Sequence, residues 1–366
     1  MSRDLLIDDQ GSLDNFFSSL FHPTIVGVDT EFMRTDTFFP IPALYQISEK
    51  CGSAIIDAQA AIDFTQLKAL FLNSSVTKVM HSCSEDLEVI QVQFSIVPES
   101  LIDTQLAQAF VANQYSVSYG NLVKEYLGVE LEKTSTRSNW LRRPLSDAQL
   151  EYAGDDSKYL VPLWEAIKGE LESLNRLEWY YEELSRVLSQ EHLRENYYRS
   201  IKGVRRLDQA QLGILRSLVD WREWEARSAN KPRARIVTDA HLLELATRKR
   251  SDLGTLRDVL PKIGFDRYQS QVVVALEQGI EDPEPPVLLP RPLSLSQSRV
   301  CKILRSLAKE IAEELGIAVE LLARKKDVEE CVRSYCADGA LPDWFGEWRK
   351  EIMGERFIEV LRQAET

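Results

Sequence analysis

Residues 28–32 read VDTEF, with Asp29 and Glu31 two apart at the end of an apolar run. In a strand, alternate side chains share a face, so both carboxylates point the same way, about 7 Å apart. Such a pair repels itself unless solvent screens it or a cation binds it. Oxygen-only ligands suit Mg²⁺ or Mn²⁺. The plainer alternative is a strand that ends in polar residues at the surface. A further acid, Asp86, lies in HSCSEDLEVI (81–90), where the run TKVMH gives way to a helix that Ser84 could cap. An aspartate in a first helical turn is also simply a good partner for the helix dipole. The third piece is EYAGDD (151–156). Tyr152 and Asp156 are four apart and share a helical face. Asp155 is about 100° round the helix and is the weaker ligand. Four carboxylates and a tyrosine, in the order DxE … D … YxxxD, are what two-metal phosphoryl hydrolysis needs. Two divalent ions about 3.5–4 Å apart activate a water and stabilise the leaving oxygen. A nearby tyrosine hydroxyl can orient that water.

These residues need strands and helices to bring them together. Residues 1–165 read as α/β: IVGVDTEF, GSAIIDA and TKVMH are short β-rich runs, and DFTQLKALFL and SEDLEVIQVQF are helical patterns. From about 146 the chain turns helical. Ser146 followed by Gln149 (SDAQ) is a capping-box signature for the helix that carries EYAGDD. Pro162 either kinks that helix or starts a new one. The C-terminal half carries no strand pattern, and it repeats. ILRSL occurs at 214–218 and at 303–307, and the helical patterns DAHLLELA (239–246) and DVEECVR (327–333) follow at nearly the same offset. Between the copies, EDPEPPVLLPRP (281–292) holds five prolines and reads as a stiff linker. The expected organisation is an α/β domain over 1–200, a first helical domain over 205–282, a linker over 283–293 and a second, divergent helical domain over 294–366.

At 366 residues the chain is long enough for two or three domains, and 44% hydrophobic residues suffice for sizeable cores. No apolar run reaches membrane-spanning length, and the start MSRDLLIDDQGS lacks an apolar signal core. Five scattered cysteines with no CxxC pair fit reduced thiols, so a cytoplasmic protein without a disulfide framework is expected. The net charge of −13 argues at first against a nucleic-acid partner. Residues 201–250, however, hold 12 Lys+Arg against 6 Asp+Glu, a local +6. Such an island can meet a phosphate backbone or be a solvated helical face.

The motifs VDTEF, HSCSEDLEVI and YAGDD resemble the three exonuclease motifs of the DEDD superfamily, in the subgroup with tyrosine in its last motif. PALYQIS (42–48), IDTQLAQAF (102–110) and SNWLRRPLSDAQLEYA (138–153) are similar to the bacterial ribonuclease D family. The two helical repeats resemble the HRDC domains that follow the nuclease domain there. The resemblance implies a ribonuclease-H-like nuclease fold, a mixed sheet flanked by helices, followed by two all-α HRDC-type domains. It also implies metal-dependent 3′-to-5′ hydrolysis of RNA to nucleoside 5′-monophosphates. The implied cofactors are two divalent ions, Mg²⁺ or Mn²⁺. The implied partners are RNAs with a free 3′ end, such as tRNA precursors and small structured RNAs, with no membrane and no obligate protein partner. Asp29, Glu31, Asp86 and Asp156 match the metal-binding acids, and Tyr152 the water-positioning tyrosine. Lys133, 19 residues before Tyr152, stands where related enzymes hold a lysine near the scissile phosphate.

Further RNA-contact candidates are His81, Trp140, Arg142, Lys231, Arg233 and Arg235. Each has a plainer alternative: His81 as a packed, hydrogen-bonded histidine, Trp140 as core. NWLRRP mixes an aromatic with positive charge, which suits single-stranded RNA. Lys231, Arg233 and Arg235 fall in a predicted loop that suits phosphate. Two other functions compete with an RNA exonuclease. A DNA 3′-end exonuclease would use the same metal centre. A non-catalytic nucleic-acid-binding scaffold would be expected to have lost motif carboxylates, and all four are present.

Overall fold

The computed structural model describes residues 5–20, 23–49, 52–132, 138–191 and 194–363. Lys133 lies outside them. Within the described residues six strands form one sheet: β1 (Leu5–Ile7), β2 (Ile25–Met33), β3 (Ile41–Glu49), β4 (Gly52–Asp57), β5 (Thr77–Met80) and β6 (Leu101–Asp103). Their spatial order is β1-β4-β3-β2-β5-β6. β3 and β4 are antiparallel, with Ser48 opposite Ser53, whereas β1 with β4, β2 with β5 and β5 with β6 are parallel. The sheet is therefore mixed.

Strand alternation sorts the two faces. Val26 and Val28 of β2, with Tyr45 and Ile47 of β3, pack against α1 (Gln10–Ser19), α2 (Thr65–Leu72) and α3 (Ser84–Phe94). Gly27, Asp29 and Glu31 fall on the other face by period two. Leu44 of β3 joins Ile55 of β4 there, packed with Trp140 and Ala153. The chain continues through α4 (Thr104–Ala109), α5 (Tyr119–Leu127), α6 (Asp147–Lys158), α7 (Leu160–Ser173) and α8 (Leu177–Glu191). Pro162 stands in the first turn of α7, where its missing N–H breaks no helical bond. The expected break therefore takes the form of a new helix at Leu160.

The chain forms two compact units. One comprises Met1–Met33, Pro42–Ser189 and Leu293–Thr366; the other comprises Arg34–Ile41 and Gln190–Pro292. The last segment thus shares a unit with the sheet. Its α14 (Leu295–Leu315), α15 (Val319–Leu322), α16 (Lys325–Asp338), α17 (Gly346–Arg349) and α18 (Glu355–Gln363) are numbered after α9–α13 of the second unit. Leu304, Ile311, Leu322, Trp348 and Phe357 enter one apolar core with Phe110, Trp164 and Tyr180. Arg349 pairs with Glu183 at 2.7 Å, each only 2% exposed. Arg176 donates to the carbonyls of Phe110 and Leu315 at 2.7 and 2.5 Å. The Ala318 amide donates to the Ala109 carbonyl at 2.9 Å.

The second unit holds α9 (Gln209–Ser228), α10 (Arg233–Ile236), α11 (Asp239–Arg248), α12 (Leu253–Val259) and α13 (Lys262–Ile280). Its core gathers Leu215, Leu218, Leu242, Leu245 and Leu276. The ILRSL copies lie on α9 and α14, and each helix opens with a capping box, Asp208 with Gln211 and Ser294 with Gln297. The proline-rich segment is irregular, but it is tied down within the second unit. Arg216 pairs with Asp282 at 2.5 Å and donates to the Glu284 carbonyl at 3.2 Å.

Candidate active site

Asp29 and Glu31 sit on the same face of β2, as the alternation predicts. Thr30 between them turns the other way, and its hydroxyl donates to Asp86 Oδ1 at 2.6 Å. Asp86 is buried in the first turn of α3. Ser84 does not cap that helix: it is the first helical residue, and the N-cap position is Cys83, whose side chain does not cap it. The turn is held instead by Asp103, whose carboxylate accepts from the amides of Ser82 and Cys83 at 3.0 and 3.2 Å while also capping α4. A carboxylate 17 residues downstream of Asp86, at the end of β6, thus fixes where α3 begins.

The third acid arrives on α6. The capping box predicted from SDAQ forms: Ser146 Oγ accepts from the Gln149 amide at 3.3 Å, and Gln149 Oε1 accepts from the Ser146 amide at 3.1 Å. Tyr152 and Asp156, one turn apart, are hydrogen-bonded to each other. The helix approaches the sheet closely because β2 carries Gly27. A Cβ there would meet Ser48 Oγ and would lie 2.7 Å from the Ser157 carbonyl. Ser48 Oγ donates to that carbonyl at 2.6 Å, and Ser53 Oγ donates to the Gly154 carbonyl at 3.3 Å. At the break between α6 and α7, Tyr119 donates to the Asp155 carbonyl at 3.0 Å and accepts from the Tyr159 amide at 3.1 Å. The outcome is that carboxylate oxygens of Asp29, Glu31 and Asp156 lie within 4.8 Å of one another. Asp86 is outside that triad, yet near enough for its charge to act on both Asp29 and Glu31. Asp155 faces away and pairs with Lys158 at 3.6 Å.

Trp140 is 3% exposed, and its indole N–H donates to Glu31. Its ring lies 6.0 Å from that of Tyr152. It offers no open face to a base; it is core, and it orients a site carboxylate. Arg143 holds this loop in place. It grips Asp57 through two bonds of 2.5 Å and donates to the Trp140 carbonyl at 2.7 Å. Arg142 is exposed. His81 has both ring nitrogens engaged, with Thr104 Oγ1 at 2.9 Å and the Val117 carbonyl at 3.1 Å, so it is packed and hydrogen-bonded. The remaining candidates lie in the second unit. Arg233 is bound to Glu223 at 2.5 and 2.6 Å and stacks over Phe38 and Tyr197. Arg235, 72% exposed, makes a 3.4 Å pair with Asp36. Lys231 is half-buried after α9. Sequence reasoning missed the parts played by Thr30, Gly27, Asp103 and Asp57. Only Gly27 carried a signal, as a glycine interrupting a β-branched run.

Electrostatics sets the chemistry. Burial, then the charges of Asp86, Asp156 and Glu31, hold the Asp29 carboxyl well above the usual range. Burial and the neighbouring acids push Glu31 to about 9. Burial likewise raises Asp86 to about 7 and Asp156 to about 6. Burial and Asp156 push the Tyr152 hydroxyl up, so it stays protonated. No Lys, Arg or His is paired with any of the four acids among the ion pairs of the described residues. Three convergent oxygen donors that lack a cationic partner fit a hard divalent cation.

A family model described as a 3′-5′ exonuclease matches residues 6–172, and an HRDC domain model matches residues 211–272. The chain is 36% identical over 348 residues to the ribonuclease D of Pseudomonas paraeruginosa, covering 93% of this chain and 92% of that one. The chain belongs to the ribonuclease D family. It is 33% identical to ribonuclease D of Escherichia coli over 350 residues, 92% of this chain and 93% of that one. The crystal structure of Escherichia coli RNase D, an exoribonuclease involved in structured RNA processing, superposes with a TM-score of 0.86 at 29% identity, covering 99% of both chains. A ribonuclease D is a hydrolase that acts as a 3′-5′ exoribonuclease, and metal dependence follows from the family and from the acid cluster. No helix of the described residues is long and apolar enough to cross a membrane.

Proposed function

We propose that this chain shortens RNA from its 3′ end by hydrolysis, releases nucleoside 5′-monophosphates, and matures the 3′ ends of tRNA precursors and other small structured RNAs in the cytoplasm. The observation that carries this is the convergence of Asp29, Glu31 and Asp156 within 4.8 Å, with Tyr152 bonded to the last of them. When bound, two divalent ions, Mg²⁺ or Mn²⁺, supply an activated water and stabilise the leaving 3′ oxygen. Asp29, Glu31 and Asp156 hold them, and Asp86, kept in place by Thr30, completes the set as the fourth acid of a DEDD centre. Tyr152 keeps its proton and orients the attacking water, which makes the site one of the tyrosine subgroup. Trp140 holds Glu31 in its ligating orientation. We assign RNA contacts to Arg142, which is exposed, to Lys133 and, separately within the second unit, to Lys231, Arg233 and Arg235. We read 205–282 and 294–366 as two HRDC-type domains. The second is incorporated into the nuclease unit and shapes it more than it binds RNA.

The test uses 5′-labelled single-stranded RNA and its DNA counterpart with Mg²⁺, with Mn²⁺ and with EDTA, followed by product identification and a tRNA precursor as substrate. The expected result is a metal-dependent ladder that shortens from the 3′ end on RNA, with nucleoside 5′-monophosphates released. A ladder mainly on DNA would move the function to DNA 3′-end processing. RNA that is bound but never shortened, tRNA precursor included, would favour a scaffold.

A further inference from the structure

Gln46 is fully buried, and neither atom of its side-chain amide has a hydrogen-bond partner among the described residues. An amide buried in this way is destabilising, so its presence in the centre of a sheet asks for a reason. Its surroundings supply one. On β3, Gln46 stands between Leu44 and Ser48. Leu44 packs with Trp140, Tyr152 and Ala153. Ser48 bonds to the Ser157 carbonyl. Side chains two apart on a strand share a face, so Gln46 points at the stretch of α6 between Ala153 and Ser157, which carries Asp156. Ser48 also abuts Gly27, the start of the row that continues along β2 to Asp29 and Glu31. The amide therefore lies under the acid cluster. The other orphaned polar atom of this strand, the Tyr45 hydroxyl, faces Phe64, Phe71 and Phe94 on the opposite side of the sheet.

A primary amide offers two N–H donors. A carboxylate that binds a cation through one oxygen leaves the other to be held by a neighbouring donor, and loss of such donors weakens metal binding by about 10–100-fold. We propose that Gln46 is a positioning residue for the metal site: its amide N–H, unpartnered among the described residues, would donate to the outward oxygen of Asp29 or Asp156 once a cation is bound and fix that carboxylate in its ligating rotamer. The proposal rests on the metal reading given above, and the two are separable by experiment.

Mn²⁺ affinity of the full chain is measured by the loss of the free-ion paramagnetic resonance signal, for wild type, Gln46→Met and Gln46→Leu. Unfolding temperature in EDTA is measured alongside. Wild type should bind Mn²⁺. Gln46→Met should keep its circular dichroism spectrum, unfold in EDTA no lower than wild type because an orphaned amide has gone, and bind Mn²⁺ at least tenfold more weakly. Weakening by less than tenfold overturns the proposal, and a lower unfolding temperature with unchanged affinity would mark Gln46 as structural only. If neither variant folds, the side-chain amide resonances of Gln46 in wild type decide: they should shift during a Mg²⁺ titration, and an unmoved pair overturns the proposal. Absence of Mn²⁺ binding by wild type would overturn the metal reading itself. Binding that is alike in wild type and variants would overturn only the role of Gln46.

Discussion

In the absence of a divalent cation, raising the pH from about 6.5 to about 8 should lower the unfolding temperature of this enzyme. Glu31 holds its proton in the fold up to about 9 and Asp86 up to about 7, whereas both ionise near 4 in the unfolded chain. Above that value the folded state binds more protons than the unfolded one. Stability therefore falls as pH rises toward the folded value of each group. At about 1.4 kcal/mol per pH unit, Glu31 loses about 2 kcal/mol across this interval and Asp86 just under 1 kcal/mol before it is fully ionised. The sum of about 3 kcal/mol corresponds to a fall of about 5–10 °C. Two opposing groups add little over this interval. His81, whose proton affinity burial lowers from 6.5, adds stability with rising pH mainly below that value. Lys78, lowered to about 8 by burial, does so mainly above it, so that each offsets about 0.4 kcal/mol at most. Scanning calorimetry in EDTA measures the fall. Glu31→Gln should remove about 2 kcal/mol of it, and Mg²⁺ should flatten it, because the cation takes the place of the protons. An unfolding temperature that stays level or rises over this interval in EDTA would mean that the buried acids do not hold their protons in the fold, as would a Glu31→Gln variant with the wild-type slope.

Three further outcomes follow from single contacts. Gly27→Ala places a methyl against Ser48 and 2.7 Å from the Ser157 carbonyl. That crowding should cost about 1–3 kcal/mol in denaturant unfolding, and displacement of Asp156 should slow single-turnover RNA cleavage by about 100-fold. Trp140→Phe keeps the ring but removes the donor to Glu31, and a titration should show Mn²⁺ binding weakened by about tenfold. Glu183→Gln leaves Arg349 buried without its counter-charge. It should destabilise the nuclease unit by about 3–5 kcal/mol in urea, whereas the Mn²⁺ affinity of the folded fraction should not change.

What could be read from the sequence is what depends on local periodicity. Period two along β2 puts Asp29 and Glu31 on one face, period 3.6 along α6 puts Tyr152 above Asp156, and the Ser146–Gln149 box marks where that helix starts. What escaped depends on contacts between distant segments. Asp57 and Arg143 are 86 residues apart, and no local pattern joins them. Yet through them Trp140 is set on Glu31 rather than left open to a base. Ser84 looked like a cap because serine commonly caps, but Asp103, from another strand, already binds the amides of the preceding turn. The repeat led to an expectation of two similar helical domains. An amphipathic helix shows that one face is covered, not what covers it, and the apolar face of α14 is covered by the nuclease core. The five prolines of 281–292 read as a stiff linker rather than a packed element. Arg216 ties it down through side-chain and carbonyl contacts that composition does not encode.

If Asp29, Glu31 and Asp156 form a metal centre that hydrolyses RNA from the 3′ end, Asp29→Asn disables it. The variant is measured beside wild type for Mn²⁺ binding, for RNA binding and for shortening of a 5′-labelled RNA. The variant should fold, unfold in EDTA at neutral pH at a higher temperature than wild type because a buried carboxyl that folding must keep protonated is gone, bind RNA as wild type does, lose most of its Mn²⁺ affinity and leave the RNA at full length. An Asp29→Asn variant that still produces the metal-dependent 3′ ladder at the wild-type rate would contradict that assignment.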